Sequence, residues 1–213
     1  NVDTLIKKVP SHLKGDPGLA YERLRWRRKK KLNSASNILH KMPNKMVYPE
    51  LWWKERSIIA RRALRKGRIS DALKFISEHG LTGGVEFAEA EWLAGWINLR
   101  FLKESRTALF HFKKMFFSVK YPISKGRGAY WIARAAQQMG DTALAKKWFK
   151  KSASYQTTFY GQLAANEGFQ NKPISFPKME NIKLSSSSRF AKLELVRMVR
   201  TLAKISANDR VAP

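Results

Sequence analysis

The chain has 213 residues, and its 42 lysines and arginines against 16 aspartates and glutamates give a formal net charge of +26. Because 44% of the residues are hydrophobic, the chain can bury a sizeable core, which excludes a disordered protein. It contains no cysteine, which excludes disulfides and cysteine-ligated metal sites. The charge favours a polyanionic partner, and nucleic acid, an anionic membrane surface and an acidic cell-wall polymer are all candidates, beside a solvated basic surface with no such partner.

The apolar runs and the start of the chain indicate no membrane segment. No run approaches the roughly 20 apolar residues that a membrane-spanning helix needs. The chain opens on an ordinary polar segment at Asn1 and not on a signal peptide. We therefore expect one large domain or one extended array of repeats without a membrane span.

Apolar residues recur at steps of three and four through most of the chain, which predicts helices. Asp16 supplies an N-cap and Pro17 the first position of an early helix, and we expect Ser70 and Ser105 to cap two later ones. The stretch Glu89–Leu102 is apolar on more than one side, so helices should pack on it from both directions. The predicted helices span 17–31, 34–41, 50–66, 70–79, 89–102, 105–119, then, after a break at Pro122, 124–139, 142–154, 155–168 and 189–205.

Pairs of these helices repeat along the chain. A small residue early in each second helix recurs at spacings of 37, 36 and 37 residues, and an apolar residue follows it four positions later. Two positions of the first helices repeat as well, although in the first unit Arg23 occupies the position of Ala60, as suits a terminal repeat. The pattern predicts an all-α fold, a right-handed α-superhelix of TPR-like helix hairpins (an α-solenoid), curved or ring-like. The repeated positions are Ala35, Ala72, Ala108 and Ala145; Leu39, Ile76, Phe112 and Phe149; Ala60, Trp96 and Ala133; and Ala63, Leu99 and Ala136.

No residue pattern indicates catalysis or metal binding. The four histidines are scattered without metal-binding spacing, at His12, His40, His79 and His111. His79 precedes Gly80 at a helix end, where we expect it to interact with the terminal carbonyls. Glu86, Glu89 and Glu91 cluster among basic neighbours, so ion pairing explains them better than acid–base chemistry. We predict no catalytic residue, no metal site and no cofactor.

Aromatic and basic residues are the remaining candidates for binding. Two basic blocks, Arg23–Lys31 and Arg61–Arg68, would suit nucleic acid, but no RNA- or DNA-binding signature accompanies them. Exposed aromatic rings flanked by arginine would instead suit sugar rings. Six tryptophans lie on apolar helix faces and are expected in the core: Trp52, Trp53, Trp92, Trp96, Trp131 and Trp148.

Four segments of the predicted helices match one known family in order. They are Trp52–Arg56, Glu89–Trp96, Tyr130–Ala136 and Tyr155–Ala164. They resemble the α-superhelical region of soluble lytic murein transglycosylases, and the similarity runs from about Arg25 to Ala165 and more faintly through the last helix. The resemblance implies a periplasmic enzyme of a Gram-negative bacterium. Such an enzyme cleaves the MurNAc–GlcNAc bond of peptidoglycan without water and leaves a 1,6-anhydro-MurNAc end.

The family's catalytic glutamate lies in a lysozyme-like domain after a linker domain, in a Glu-Ser-x-Phe context followed by Gly-Leu-Met-Gln. Here Glu104–Ser105 is the sole Glu-Ser pair, Thr107 stands where the phenylalanine is needed, and no Gly-Leu-Met-Gln follows. We therefore expect the chain to be the non-catalytic superhelical part. The expected divisions are a repeat domain over 1–168, a connector over 169–188 and the start of the linker-domain helices over 189–213.

The leading hypothesis is that this part binds peptidoglycan glycan strands. Five candidate glycan contacts gather around the last repeat, although packing would also explain the two later tyrosines: Arg127, Tyr130, Trp131, Tyr155 and Tyr160. Other cell-wall proteins are further candidate partners. The alternatives are a TPR-like scaffold for a protein partner and, less favoured, a basic solenoid on RNA or DNA.

Overall fold

Helices form wherever the sequence repeats apolar residues at steps of three and four. The computed structural model describes residues 2–40, 47–168 and 189–207, and all regular structure in these residues is helical. The predicted connector 169–188 lies outside the described residues. The α-helices are α1 (Val2–Lys7), α2 (Pro17–Lys29), α3 (Ser36–Leu39), α4 (Pro49–Arg65), α5 (Ile69–Ser77), α6 (Gly84–Ile97), α7 (Ser105–Ser118), α8 (Pro122–Gln138), α9 (Thr142–Ala153), α10 (Phe159–Gly168) and α11 (Glu194–Lys204).

The chain divides into two units, Asn1–Ile174 and Ser175–Pro213. In the first unit, α4 pairs with α5, α6 with α7 and α8 with α9, and each second helix also contacts the first helix of the next pair. This is the predicted all-α array of TPR-like helix hairpins, an α-solenoid. In the second unit, the predicted helix 189–205 is shorter: α11 follows a turn, and its apolar side chains Leu195, Val199 and Leu202 recur at helical spacing.

The repeated positions form the core of the hairpins. The small residue and the apolar residue four positions later are at most 6% exposed in all four units. The two helices of a pair approach closely: a Cβ added to Gly95 of α6 would lie 2.7 Å from Cε1 of Phe112 in α7. Trp92 and Trp96 of α6 pack against core clusters on both sides of that helix, which confirms the prediction for this stretch. The predicted core tryptophans all pack into these clusters, Trp52 and Trp53 almost completely.

The end of α6 differs from the prediction. The helix begins at Gly84, and its regular part ends at Ile97, after which Asn98–Leu102 forms a wider π-helical turn. The side-chain amide of Asn98 donates a hydrogen bond to the Ala94 carbonyl at 2.9 Å. Such wider turns are rare and are invisible to a three-and-four periodicity.

Three predicted helix starts are wrong. α5 begins at Ile69, so Ser70 lies inside the helix and does not cap it. Ser105 is the first residue of α7, and no side chain caps that end. Pro122 does not break the chain but opens α8, since the first helical position needs no backbone N–H.

Candidate binding surface

A row of polar and aromatic contacts crosses the first helices of three consecutive hairpins and the helix that follows them, α10. α4, α6, α8 and α10 each contribute at least one side chain, and each member contacts or interacts electrostatically with a member on the next helix. We call this set the first-helix row, and its members are Arg61, Glu89, Trp92, Arg127 and Tyr160.

Glu89 connects α6 to α4. Nη2 of Arg61 donates to one carboxylate oxygen at 2.6 Å, and Nε1 of Trp53 donates to the other at 3.1 Å. The expectation that this glutamate serves ion pairing is confirmed. The two donors fix the position of the carboxylate, and each of its oxygens already accepts a hydrogen bond.

Arg127 connects α8 to the helices on either side. Its guanidinium carbon lies 3.8 Å from the ring centre of Trp92, a cation–π contact. Burial lowers the pKa of the Arg127 guanidinium, while Tyr160 and Glu89 oppose this shift. The charge of Arg127 is therefore placed between the aromatic rings of α6 and α10.

The row holds more hydrogen-bond donors than acceptors. Nε of Arg127 and the indole N–H group of Trp92 in the row, and that of Trp131 beside it, are shielded from water and have no acceptor among the described residues. A shielded donor without an acceptor loses its hydrogen bond to water without replacement. The row therefore suits a ligand rich in oxygen acceptors.

Four of the five predicted glycan contacts come together, and the fifth is placed nearby in the chain. The ring centre of Tyr130 lies 5.7 Å from that of Trp131 and 5.4 Å from that of Tyr160, and Tyr130 itself is only 5% exposed. Tyr155 lies before α10, with Nζ of Lys151 5.9 Å from its ring centre. Their role as glycan contacts stays a prediction.

The segment before α10 is a turn, so the predicted helix over 155–168 is wrong at its start. The Thr158 hydroxyl donates to the Tyr155 carbonyl at 2.8 Å and accepts from the Gly161 N–H at 3.1 Å. A Cβ on Gly161 would lie 2.0 Å from the Tyr155 carbonyl oxygen, so only glycine fits. This turn fixes where α10 begins and thereby places Tyr160 in the row.

Two glycines beside Arg127 allow α8 to pack closely, which the sequence did not show. A Cβ on Gly126 would lie 2.8 Å from Oγ1 of Thr158, and one on Gly128 would lie 3.0 Å from Cβ of Phe116 in α7. Gly-Arg-Gly is too short to be recognised as a ligand-binding motif. Its function in this fold is packing, which brings α8 and Arg127 close to both neighbours.

Glu91 is the centre of a buried ionic cluster next to the row on α6. Its side chain is 1% exposed, Nδ1 of His111 donates to it at 2.6 Å, and Lys114 donates to its other oxygen. Nε2 of His79 lies 3.5 Å from the carboxylate. Burial raises the pKa of Glu91, but the hydrogen bonds from His111, His79 and Lys114 outweigh it and hold the pKa well below its usual range.

The prediction for His79 is wrong. Its Nδ1 accepts a hydrogen bond from the backbone N–H of Leu81 at 2.9 Å and does not contact helix-end carbonyls. Because Nδ1 is the acceptor, the neutral ring carries its proton on Nε2, which faces Glu91. Histidine and glutamate are separated by twelve residues, so only the packing of α6 on the preceding loop reveals the pair.

No group of acidic residues and histidines in the described part of the chain is arranged to hold a metal ion. Among residues 2–40, 47–168 and 189–207, no helix is long and apolar enough to cross a membrane.

The helix hairpins place the chain in the class of TPR-like α-solenoids. No model of a known protein family matches the chain, and no curated protein matches it. It is similar to the solved structure "Crystal structure of MamA protein", with 15% identity and a TM-score of 0.47 over 80% of this chain and 85% of that chain. A likeness at this level assigns no function.

Proposed function

We propose that this chain is a non-catalytic binding scaffold, the superhelical part of a lytic murein transglycosylase that holds peptidoglycan strands in the periplasm of a Gram-negative bacterium. One observation carries the proposal. The four segments that resemble this family lie on α4, α6, α8 and α10 with its preceding turn. They supply Glu89, Trp92 and Tyr160 of the first-helix row, and Trp53 beside it.

The chemistry of the row suits a glycan strand. The apolar face of a pyranose ring packs on aromatic side chains, while sugar hydroxyl, amide and carboxylate oxygens accept hydrogen bonds from arginine and indole N–H groups. Peptidoglycan carries carboxylates on its peptides and lactyl groups, and a chain with a net charge of +26 attracts them. This attraction acts over roughly 8–10 Å at physiological salt.

Bond cleavage is not assigned to these residues. Glu104, the glutamate of the sole Glu-Ser pair, stands exposed just before α7. A catalytic acid usually has its pKa raised by a sheltered site, which this position does not offer. The proposed role of the chain is to raise the local concentration of glycan strands for the cleaving site of the parent enzyme.

A second candidate function is a scaffold for a protein partner, and the fold favours it. Stacked TPR-like hairpins present extended surfaces that bind peptide segments. The net charge of +26 would select an acidic segment. The row would then bind carboxylates and backbone carbonyls instead of sugars.

Co-sedimentation with purified peptidoglycan sacculi tests the proposal. The chain should pellet with sacculi at low salt and release no anhydro-muropeptides into the supernatant. Arg61→Gln, at a row position whose side chain is 40% exposed, should weaken pelleting, as should Tyr160→Phe, which keeps the ring. Arg106→Gln, at an exposed position of α7, is the matched charge control and should bind like the wild type.

Three outcomes would overturn the proposal. Absence of binding at low salt would favour the protein-partner function. Equal weakening by Arg61→Gln and Arg106→Gln would show that net charge alone attracts the chain to sacculi. Release of anhydro-muropeptides would show that an active site lies within these 213 residues.

A further inference from the structure

The two basic blocks of the sequence meet in one cavity, apart from the first-helix row. The cavity has a volume of about 430 Å³ and lies where the end of α2 and the turn before α3 face the end of α4. A volume of this size falls in the range of small-molecule sites, roughly 300–1,000 Å³. Its cationic lining residues are Lys31 from the first block and Arg62, Arg65, Lys66 and Arg68 from the second.

The lining of this cavity is unbalanced in charge. Five of its ten residues are lysine or arginine, and none is aspartate or glutamate. Arg62 donates to the backbone carbonyl of Arg28 at 3.2 Å, and Lys66 donates to the side-chain oxygen of Asn33 at 2.7 Å, so both cations have neutral partners. Among the described residues, Arg68 alone of the five lining cations pairs with a carboxylate, that of Asp71 at 3.6 Å.

Lys31 and Arg65 have no acceptor among the described residues. Both side chains are exposed at the rim of the cavity. Like charges that are held together repel one another, and a bound anion removes that repulsion. The cavity thus has free donors at its rim and fixed cations at its wall.

We propose that this cavity binds a multiply charged phosphate group of a small molecule. The planar fork of arginine fits two phosphate oxygens at once, and lysine adds a point charge. A dianionic or more highly charged group matches five cations better than the single charge of a carboxylate. The site is distinct from the first-helix row, because no row residue lines the cavity and Arg62 contacts α2 through the Arg28 carbonyl, whereas Arg61 pairs with Glu89 of α6.

Calorimetric titration in chloride buffer tests the site, with pyrophosphate and glycerol 3-phosphate as probes. We expect saturable one-to-one binding of at least one probe. The tighter probe identifies the source, free polyphosphate or a phosphate monoester. The double variant Lys31→Gln and Arg65→Gln should weaken binding roughly tenfold or more, because charged hydrogen-bond donors to phosphate are lost.

The matched control carries the same change in net charge elsewhere. Arg106→Gln with Lys146→Gln alters two exposed cations of α7 and α9 that have no partner among the described residues, and this double variant should bind like the wild type. All three proteins should melt at the same temperature. Equal weakening in both double variants, or no saturable binding of either probe, would overturn the proposal. Arg65→Lys should weaken binding less than Arg65→Gln, since the charge remains while the fork is lost.

Discussion

Replacing Glu91 by glutamine tests the buried ionic cluster that joins α6 to α7. The substitution keeps the shape of the side chain and removes its charge. Glu91 is 1% exposed, and it accepts hydrogen bonds from His111 and Lys114 while His79 lies at 3.5 Å. The amide of glutamine offers one acceptor oxygen in place of two and presents an N–H₂ group to cationic neighbours.

The expected loss in the free energy of unfolding depends on how exposed the hydrogen-bond partners of Glu91 are. Removing one partner of a buried ion pair costs about 3–5 kcal/mol when the remaining charge is left without solvent. Lys114 is 39% exposed and regains water, so its charge is not trapped. Hydrogen bonds to a charged group contribute about 1.5–3 kcal/mol each, and glutamine retains one neutral bond. We therefore expect Glu91→Gln to lower the free energy of unfolding by about 2–3 kcal/mol.

Urea unfolding followed by far-ultraviolet circular dichroism measures this loss as a shift of the midpoint. Glu104→Gln is the matched control, because Glu104 is an exposed glutamate in the loop before α7, and its loss should stay within about 0.5 kcal/mol. If Glu91→Gln unfolds at the same urea concentration as the wild type, the cluster does not stabilise the fold and the reasoning is refuted.

Three further changes address pH and two local contacts. The folded-state pKa of Glu91 lies below its ordinary value of 4.5, so the stability that the ionised carboxylate contributes at neutral pH should be lost as the pH falls below that value. In acid titrations, the free energy of unfolding of Glu91→Gln should therefore fall less with decreasing pH than that of the wild type. Gly161→Ala should destabilise the protein by about 2 kcal/mol in thermal melts, because its Cβ would meet the Tyr155 carbonyl oxygen at 2.0 Å. Asp141→Ala should cost about 1 kcal/mol in urea unfolding, since the Asp141 carboxylate accepts from the N–H of Leu144 at 2.9 Å and caps α9.

The two local substitutions each have a matched control, and the acid titration is compared with that of the wild type. Gly15→Ala should change stability little, because nothing lies within 4 Å of the added Cβ. Asp141→Asn retains a capping oxygen and should recover most of the loss. If Gly161→Ala or Asp141→Ala is as stable as the wild type, the contact described at that residue does not stabilise the fold. If Glu91→Gln loses stability in acid as the wild type does, the ionised Glu91 carboxylate is not the cause of that loss.

The hairpin array could be predicted from the sequence because its causes are local and repeated. Ala72 and Ala108 must be small where two helices approach, and Ile76 and Phe112 lie one turn later on the same face. All four are buried. Helix ends were predicted less well, because a proline such as Pro122 opens a helix as readily as it breaks one.

The contacts of the binding surface could be predicted only in part. Arg127, Tyr130, Trp131 and Tyr160 were expected near one another because they belong to the last repeat, and they do come together. The bond from Trp53 to Glu89 joins side chains 36 residues apart, and the cluster at Glu91 gathers residues from a loop and two helices. Such pairings depend on how neighbouring hairpins pack, which no local pattern specifies.

Nuclear magnetic resonance of the tryptophan indole N–H groups tests the binding scaffold most directly. The chain, labelled with ¹⁵N-tryptophan, would be titrated with soluble peptidoglycan glycan fragments, with signals assigned by single Trp→Phe variants. Our account predicts that the signals of Trp92 and Trp131, which lack an acceptor, shift as they gain ligand oxygens, while that of Trp26 in α2 stays in place. Saturable binding that leaves the Trp92 and Trp131 signals unchanged would contradict the assignment of the first-helix row as the binding surface.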